Sequence, residues 1–416
     1  MRSELCRKMA VVNGWNSNKK VCQERRQSEL RIRNGGAGWI PAVGMNKKEI
    51  AEIKKQYTQE KCPATRICGC YVDGEKKKQT EFCQAFLSLP DEEFFKYLNI
   101  FRKTMSGTIG KNLLTMEFPL DTEMEGGTQE LLMKLKYSGL KDDGLLEEFY
   151  DKIIDSYYYV GNYLILLIHG TYDIPGKSSD NLEMFDASDE IYEHIICCIC
   201  PVNLSKPCLS YNAEGHCFEN NIQDWVVEMP VQGFLFPAFH DRSADVHSLL
   251  YYNQKPEQPA TDFVDNILGC VLPMTAGDQK ETFQELVEQT LGEDCSYDMV
   301  RTIYDNLNEM LEEQKEEPEP LKLDKGDVKR LLEQSEVAND KLEEFDTHYE
   351  ETAGENASFM AANVVNSRKF EIKTPDIVIQ VNPERTDLVE TREIDGKKCL
   401  VIELNDEVEV NGITIK

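Results

Sequence analysis

From residue 45 onward the spacing of apolar and polar positions changes several times, and each change predicts an element. Thr65–Val72 reads as a strand, Asp73-Gly74 as a two-residue hairpin turn and Glu75–Phe82 as the returning strand. Pro90-Asp91-Glu92-Glu93 opens a helix with Phe94, Phe95, Leu98 and Phe101 as its apolar positions, and Gly107 is its stop. Leu113–Phe118 is a further strand. Beyond an aspartate cap at Asp142 or Asp143, Leu145, Leu146, Phe149, Tyr150, Ile153, Ile154, Tyr157 and Tyr158 recur in two adjacent rows, the wide stripe of a buried helix. The run YLILLI at Tyr163–Ile168 is apolar on both faces of a strand, which places it in the centre of a sheet.

Shorter β candidates follow at Tyr192–Cys200, Cys208–Tyr211, His216–Glu219, Trp225–Met229 and Gly233–Phe236. Phe283, Leu286, Val287 and Leu291 then line one helix, and Met299, Val300, Ile303, Tyr304, Leu307, Met310 and Leu311 line the next. Glu312–Pro320 is a charged, proline-broken linker, and Leu321–Gly354 reads as a helical pair capped at Asp324. The last stretch is β again: a strand at Ile377–Val381, then hairpins about Asp395-Gly396 and Asn411-Gly412. The expected fold class is α+β, a mixed core at 45–275, an acidic helical segment at 276–365 with its linker at 312–320, and a small C-terminal β-hairpin module at 366–416.

Residues 1–44 differ from all of this. They hold nine of the 46 Lys and Arg residues and three of the 75 Asp and Glu residues, with no sustained period. They are expected to be a basic arm outside the packed fold, or to precede a true start at Met45. The chain as a whole carries −29, so the remainder carries −35. A body that acidic repels phosphate backbones and anionic lipid, which makes nucleic acid and membrane surfaces poor partners. The longest apolar run falls far short of the roughly 20 residues that span a bilayer, and no export signal opens the chain. A cytoplasmic setting is expected. In that setting the 14 cysteines should be thiols rather than a disulfide framework.

Few residues invite chemistry. Gly107-Thr108-Ile109-Gly110-Lys111-Asn112 has a Gly-Lys pair, but the spacing is too short for a phosphate loop and the order is helix then strand. Cys197, Cys200, Cys208 and Cys217 could supply zinc ligands in number. Strand alternation aims neighbouring thiols apart, so buried thiols are the preferred reading and neither metal nor cofactor is expected. The densest polar patch is His240-Asp241-Arg242-Ser243-Ala244-Asp245-Val246-His247. Read as a helical turn, it sets Asp241 and Asp245 on one face and leaves Arg242 free to pair with either. His240, Asp241, Arg242, Asp245 and His247 are therefore the candidate catalytic residues, with His as general base and Asp orienting it. The plain alternative is a capped helix that packs Val246, Leu249 and Leu250 inward.

With these runs in view, the chain from Met45 resembles a bacterial family, the domain of unknown function numbered 4317. The resemblance rests on MNKKEIAEIKKQ at 45–56, TRICGCYVDGEK at 65–76, MSGTIGKNLL at 105–114 and SDNLEMFDASDEIYE at 179–193. It continues through CPVNLSKP at 200–207, DWVVEMP at 224–230, FPAFHDRSADVHSLLYY at 236–252 and VNPERTDLVETREIDGKKCLVIE at 381–403. It implies a cytoplasmic bacterial protein and carries with it no activity, cofactor or catalytic residue. Two functions stay open. One is a non-enzymatic protein that binds another macromolecule, most simply a protein, through its acidic helices or its C-terminal β module. The other is a hydrolase-like enzyme built on the 240–247 cluster.

Removal of residues 1–44 is expected to leave the melting temperature nearly unchanged. A fall of more than about 5 °C, worth on the order of 2 kcal/mol in a chain of this size, would mean that the arm docks.

Overall fold

In the computed structural model the described residues are 44–177, 183–335, 337–354, 357–366, 368–403, 408–410 and 413–415. The expected basic arm at 1–43 and the Asn411-Gly412 turn lie outside them. The N-terminal half contains α1 (Lys47–Gln56), β1 (Ala64–Val72), β2 (Lys78–Ala85), α2 (Asp91–Thr104), β3 (Leu113–Glu117), α3 (Thr128–Tyr137) and α4 (Asp143–Ser156). Two long strands follow, β4 (Asn162–Lys177) and β5 (Glu183–Leu204). Next come β6 (Leu209–Asn212), β7 (Cys217–Asn220), β8 (Trp225–Val227), β9 (Gln232–Phe236), β10 (Ala238–His240), β11 (Ser243–Asp245) and β12 (Ser248–Asn253).

One antiparallel sheet runs in the order β2-β1-β4-β5-β9-β12-β3, with β8 added to the end of β5. Strand alternation divides its side chains between two cores. On one face Ile165, Leu167, Ile195, Cys197 and Phe234 meet Leu132, Leu135, Phe149 and Ile153 of α3 and α4. On the other, Leu164, Leu166, Ile168, Ile196 and Cys198 meet Ile53, Leu98 and Phe101 of α1 and α2. The result is a helix–sheet–helix sandwich whose central strand is the predicted YLILLI run.

Local chemistry sets the element ends. Asn46 accepts from the N–H groups of Lys48 and Glu49, and Glu49 returns a bond to the Asn46 N–H, a closed capping box. Asp142 caps α4 by accepting from Gly144 and Leu145. The first hairpin departs from the predicted two-residue turn: β2 starts at Lys78, and the longer connection is tied by Asp73, which accepts from the N–H groups of Glu75 and Lys77. Cys68 and Cys83 stand opposite each other across β1 and β2 and are joined by a disulfide, where thiols had been expected.

The later elements are α5 (Ala276–Leu291), α6 (Tyr297–Glu313), β13 (Lys322–Leu323), α7 (Lys325–Gln334), α8 (Asn339–Thr352), β14 (Phe359–Met360) and α9 (Ala361–Val364). They enclose a third core of Phe283, Leu286, Ile303, Leu307, Leu331, Phe345 and Phe359. Asp324 caps α7 as expected. The proline-broken linker touches the sandwich where the Lys47 N–H donates to Pro318 O at 3.3 Å. Asn363 ties the third core to the loop before β3, its Nδ2 donating to Gly110 O at 3.0 Å. The C-terminal stretch forms three two-stranded hairpins: β15 (Phe370–Lys373) with β16 (Val378–Val381), β17 (Val389–Ile394) with β18 (Lys397–Ile402), and β19 (Val408–Val410) with β20 (Ile413–Ile415). Among the described residues no helix is long and apolar enough to cross a membrane.

Gly233 in β9 sits tightly between the β5 backbone and the end of α2. A Cβ there would stand 2.3 Å from Cys197 O and 2.7 Å from Thr104 Cγ2. Gly233→Ala is therefore expected to cost about 2–4 kcal/mol, measured as a lowered urea midpoint at unchanged m. A loss below about 0.5 kcal/mol would show that the β5–β9 contact is slacker than this.

Candidate functional site

The 240–247 segment is a β-hairpin, not a helix. Asp241 and Arg242 adopt positive φ of 46° and 61°, forming a two-residue turn between β10 and β11. Val246 follows the hairpin, and Leu249 and Leu250 belong to β12 on opposite faces of the sheet. Helical periodicity was the wrong ruler here because the pairing of β9 and β12 across the sheet fixes the segment as extended chain.

The turn is clamped to α1. Glu49 Oε1 accepts from the Asp241 N–H at 2.9 Å and stands 3.4 Å from His240 Nδ1, ion-pair reach without hydrogen-bond geometry. Glu52 Oε1 lies 3.5 Å from the Arg242 guanidinium and accepts from the Tyr172 hydroxyl at 2.9 Å, while Arg242 also donates to Pro175 O at 2.6 Å. Beyond the other end of β11, the Asp245 carboxylate accepts from the His247 N–H and the Ser248 hydroxyl. His247 points away to Glu123, with Nδ1 and Oε1 2.7 Å apart, and that bond raises its pKa above the usual histidine range. The structure thus brings His240, the Asp241 backbone and Arg242 together at two α1 glutamates. It leaves Asp245 and His247 with different partners.

The four thiols also part. Cys197 lies in the core under α3 and α4 and Cys200 in the core under α1 and α2, while Cys208 and Cys217 are exposed beyond the sandwich. Among the described residues no group of three or more His, Cys, Asp or Glu side chains is placed to hold a metal ion.

Two buried histidines in the middle of β4 and β5 escaped the sequence reading, because in isolation each looks like one polar residue in an apolar strand. His169 joins three strands and a helix. Its Nε2 bonds Glu193 Oε1 at 3.0 Å and its Nδ1 bonds the Thr65 hydroxyl at 2.6 Å, while Lys136 stands 3.8 Å from the other Glu193 oxygen. A carboxylate only accepts, so in the neutral ring Nε2 carries the proton and Thr65 donates to Nδ1. Burial holds the His169 pKa below the usual value against the opposing pull of Glu193.

On the opposite face His194 is fully buried. It stacks on Tyr192 and bonds the Tyr57 hydroxyl at 2.6 Å through Nε2. Its Nδ1 faces Tyr192 O at 3.3 Å; a carbonyl only accepts, so Nδ1 carries the proton and Tyr57 donates to Nε2. Gly170 stands opposite His194, and a Cβ there would come within 2.9 Å of Nε2, so the bond needs glycine at that position.

A run of exposed apolar side chains lies on a β-arm. The end of β5 pairs with β8, and the β6–β7 hairpin lies between them in sequence. Leu209 is 69% exposed, Phe218 72%, Ile222 80% and Trp225 56%. Leu204, Tyr211, Val226, Val227 and Met229 are exposed as well. Among the described residues no strand covers the second edge of β8.

The fold and these sites define a helix–sheet–helix protein with an antiparallel sheet, a helical companion layer and a projecting apolar arm. The chain belongs to the family described as Domain of unknown function (DUF4317), whose match covers residues 45–413. A comparison with curated proteins gives no match.

Burial holds the His194 imidazole down to about 3 from its ordinary 6.5. The unfolded chain therefore takes up this proton first. The stabilising contribution of the neutral ring is complete above the ordinary value and is lost as pH falls toward the folded one. Between about pH 6.5 and 4.5 the protein should lose roughly 2–3 kcal/mol through this group. Urea titrations of the native chain and His194→Gln across that range check it, since the variant should show a flatter decline. Parallel declines would remove His194 as the cause.

Proposed function

We propose that the protein is a non-enzymatic binding protein that seats another polypeptide on its β-arm. The observation that carries this reading is the exposure of nine large apolar side chains within residues 204–229. Isolated exposed apolar residues are ordinary on protein surfaces, but a run of them on one projecting element marks an interaction site. The arm supplies both halves of strand-addition recognition. The open edge of β8 offers main-chain hydrogen bonds, and Phe218, Trp225 and Val227 offer side-chain contacts. The acidic helices at 276–365 and the C-terminal hairpins offer further surface, and the net charge of −29 favours a basic or neutral partner over nucleic acid. The hydrolase alternative asks His240, Asp241, Asp245 and His247 to face one substrate, whereas these residues engage partners at separate ends of β11.

The combined replacement Phe218→Ser and Trp225→Ser should leave the melting temperature within about 2 °C, because neither residue is buried. Quantitative affinity purification from the native cell should recover a partner with the unaltered chain and lose it with the variant. Dimeric native chain and monomeric variant in light scattering would identify that partner as a second copy. Identical recoveries and identical masses would overturn the reading.

A further inference from the structure

In a chain of net charge −29, three cations gather around one groove. Lys54 in the last turn of α1 faces Arg102 and Lys103 in the last turn of α2, across a groove of about 450 Å³ that Asn99, Ser106 and Met229 complete. Lys54 Nζ donates to the Ser106 hydroxyl at 2.6 Å, and Ser106 in turn donates to Arg102 O. None of the three cations forms an ion pair among the described residues. Burial first, and then the charges of Arg102 and Lys103, hold the Lys54 ammonium below the usual lysine range. A second hollow of about 170 Å³ adjoins the groove and shares Lys54 and Ser106 with it. Its walls include Ile50, Met105, Ile109 and Leu113.

A basic residue at a helix C-terminus has an ordinary explanation, because it meets the negative end of the helix dipole. That accounts for each helix separately. It does not account for two such ends converging on one groove, where like charges raise each other's energy and an anion between them would relieve the repulsion.

We propose that this groove is a binding site for a phosphate-class oxyanion carried by a small molecule. Arg102 supplies a planar fork for two oxygens, and Lys54 and Lys103 supply point charges. The Asn99 amide supplies neutral hydrogen-bond donors, and the adjoining hollow receives an apolar part of the same ligand. A nucleic-acid strand is the poorer occupant, since beyond about one Debye length, roughly 8 Å, its phosphates would run over an acidic body. The proposal does not rest on the β-arm, although Met229 borders both.

Pyrophosphate is the probe, titrated calorimetrically into the full chain at low chloride. The expected result is saturable binding of one pyrophosphate per chain, weakened at least tenfold by Arg102→Gln and by Lys103→Gln. Both positions reach solvent, so the variants should fold, and circular dichroism confirms it. Lys48→Gln, on an exposed position of α1 outside the groove, should leave the affinity unchanged, as should the paired arm replacements at Phe218 and Trp225. Absence of saturable binding would overturn the proposal. So would equal weakening by Lys48→Gln, the mark of diffuse charge, or a single-stranded oligonucleotide binding more tightly than pyrophosphate through the same residues.

Discussion

The structure depends on the burial of one strand pair from both sides. β4 and β5 run antiparallel at the centre of the sheet, and from Tyr163 to Ile168 and Ile195 to Cys200 every side chain is withdrawn from water. A sheet buried on both faces must be covered twice, so α3 and α4 close one side and α1 and α2 the other. Strand alternation then assigns every neighbour its core. It sends Cys197 to one layer and Cys198 to the other, and it sets His169 and His194 on opposite faces although their strands are adjacent.

The buried histidines of this sandwich are partnered, because an unpaired donor or acceptor in a low-dielectric interior is costly, although the Tyr150 and Tyr163 hydroxyls are buried there without a hydrogen-bond partner. His194 meets that condition with Tyr57 and the Tyr192 carbonyl, and His169 with Thr65 and Glu193. The two α1 glutamates follow the same logic at the rim. Glu49 serves its own helix cap and the Asp241 N–H at once, and Glu52 holds Tyr172 and Arg242. A cluster that looks catalytic as a string of residues is largely absorbed in closing a hairpin tip onto a helix.

What the sandwich leaves open is as informative as what it closes. β5 continues past its pairing with β9 to Leu204, and the arm beyond it keeps apolar residues in water that the core has no room to bury. The cations of α1 and α2 collect at the same end of those helices, in a groove bordered by Met229. An apolar edge and a cationic groove on an acidic protein are complementary to different chemistries, which is why they are separable by mutation.

Much of the fold was legible in the sequence, and for local reasons. The stripe from Leu145 to Ile154, the double-faced run at Tyr163–Ile168, the caps at Asp142 and Asp324 and the Asp395-Gly396 hairpin are each specified within a few residues by periodicity or turn chemistry, whereas Tyr158, expected in the stripe, lies beyond the helix and is exposed. The sites were not legible in this way. Asp241 and Arg242 occupy positive φ as the turn between β10 and β11, and the α1 glutamates that clamp this turn lie 192 and 190 positions away. Thr65, His169, Glu193 and Lys136 lie up to 128 positions apart in the chain and meet only because three strands align in register beneath α3. Lys54 and Arg102 face each other only because two helices pack on one face of the sheet. Sequence by itself determined which segments are helix and strand and which side of each is apolar, since those are short-range properties of the chain. Only the tertiary structure decided which polar groups share a site, since that is set by strand register and helix packing across long separations.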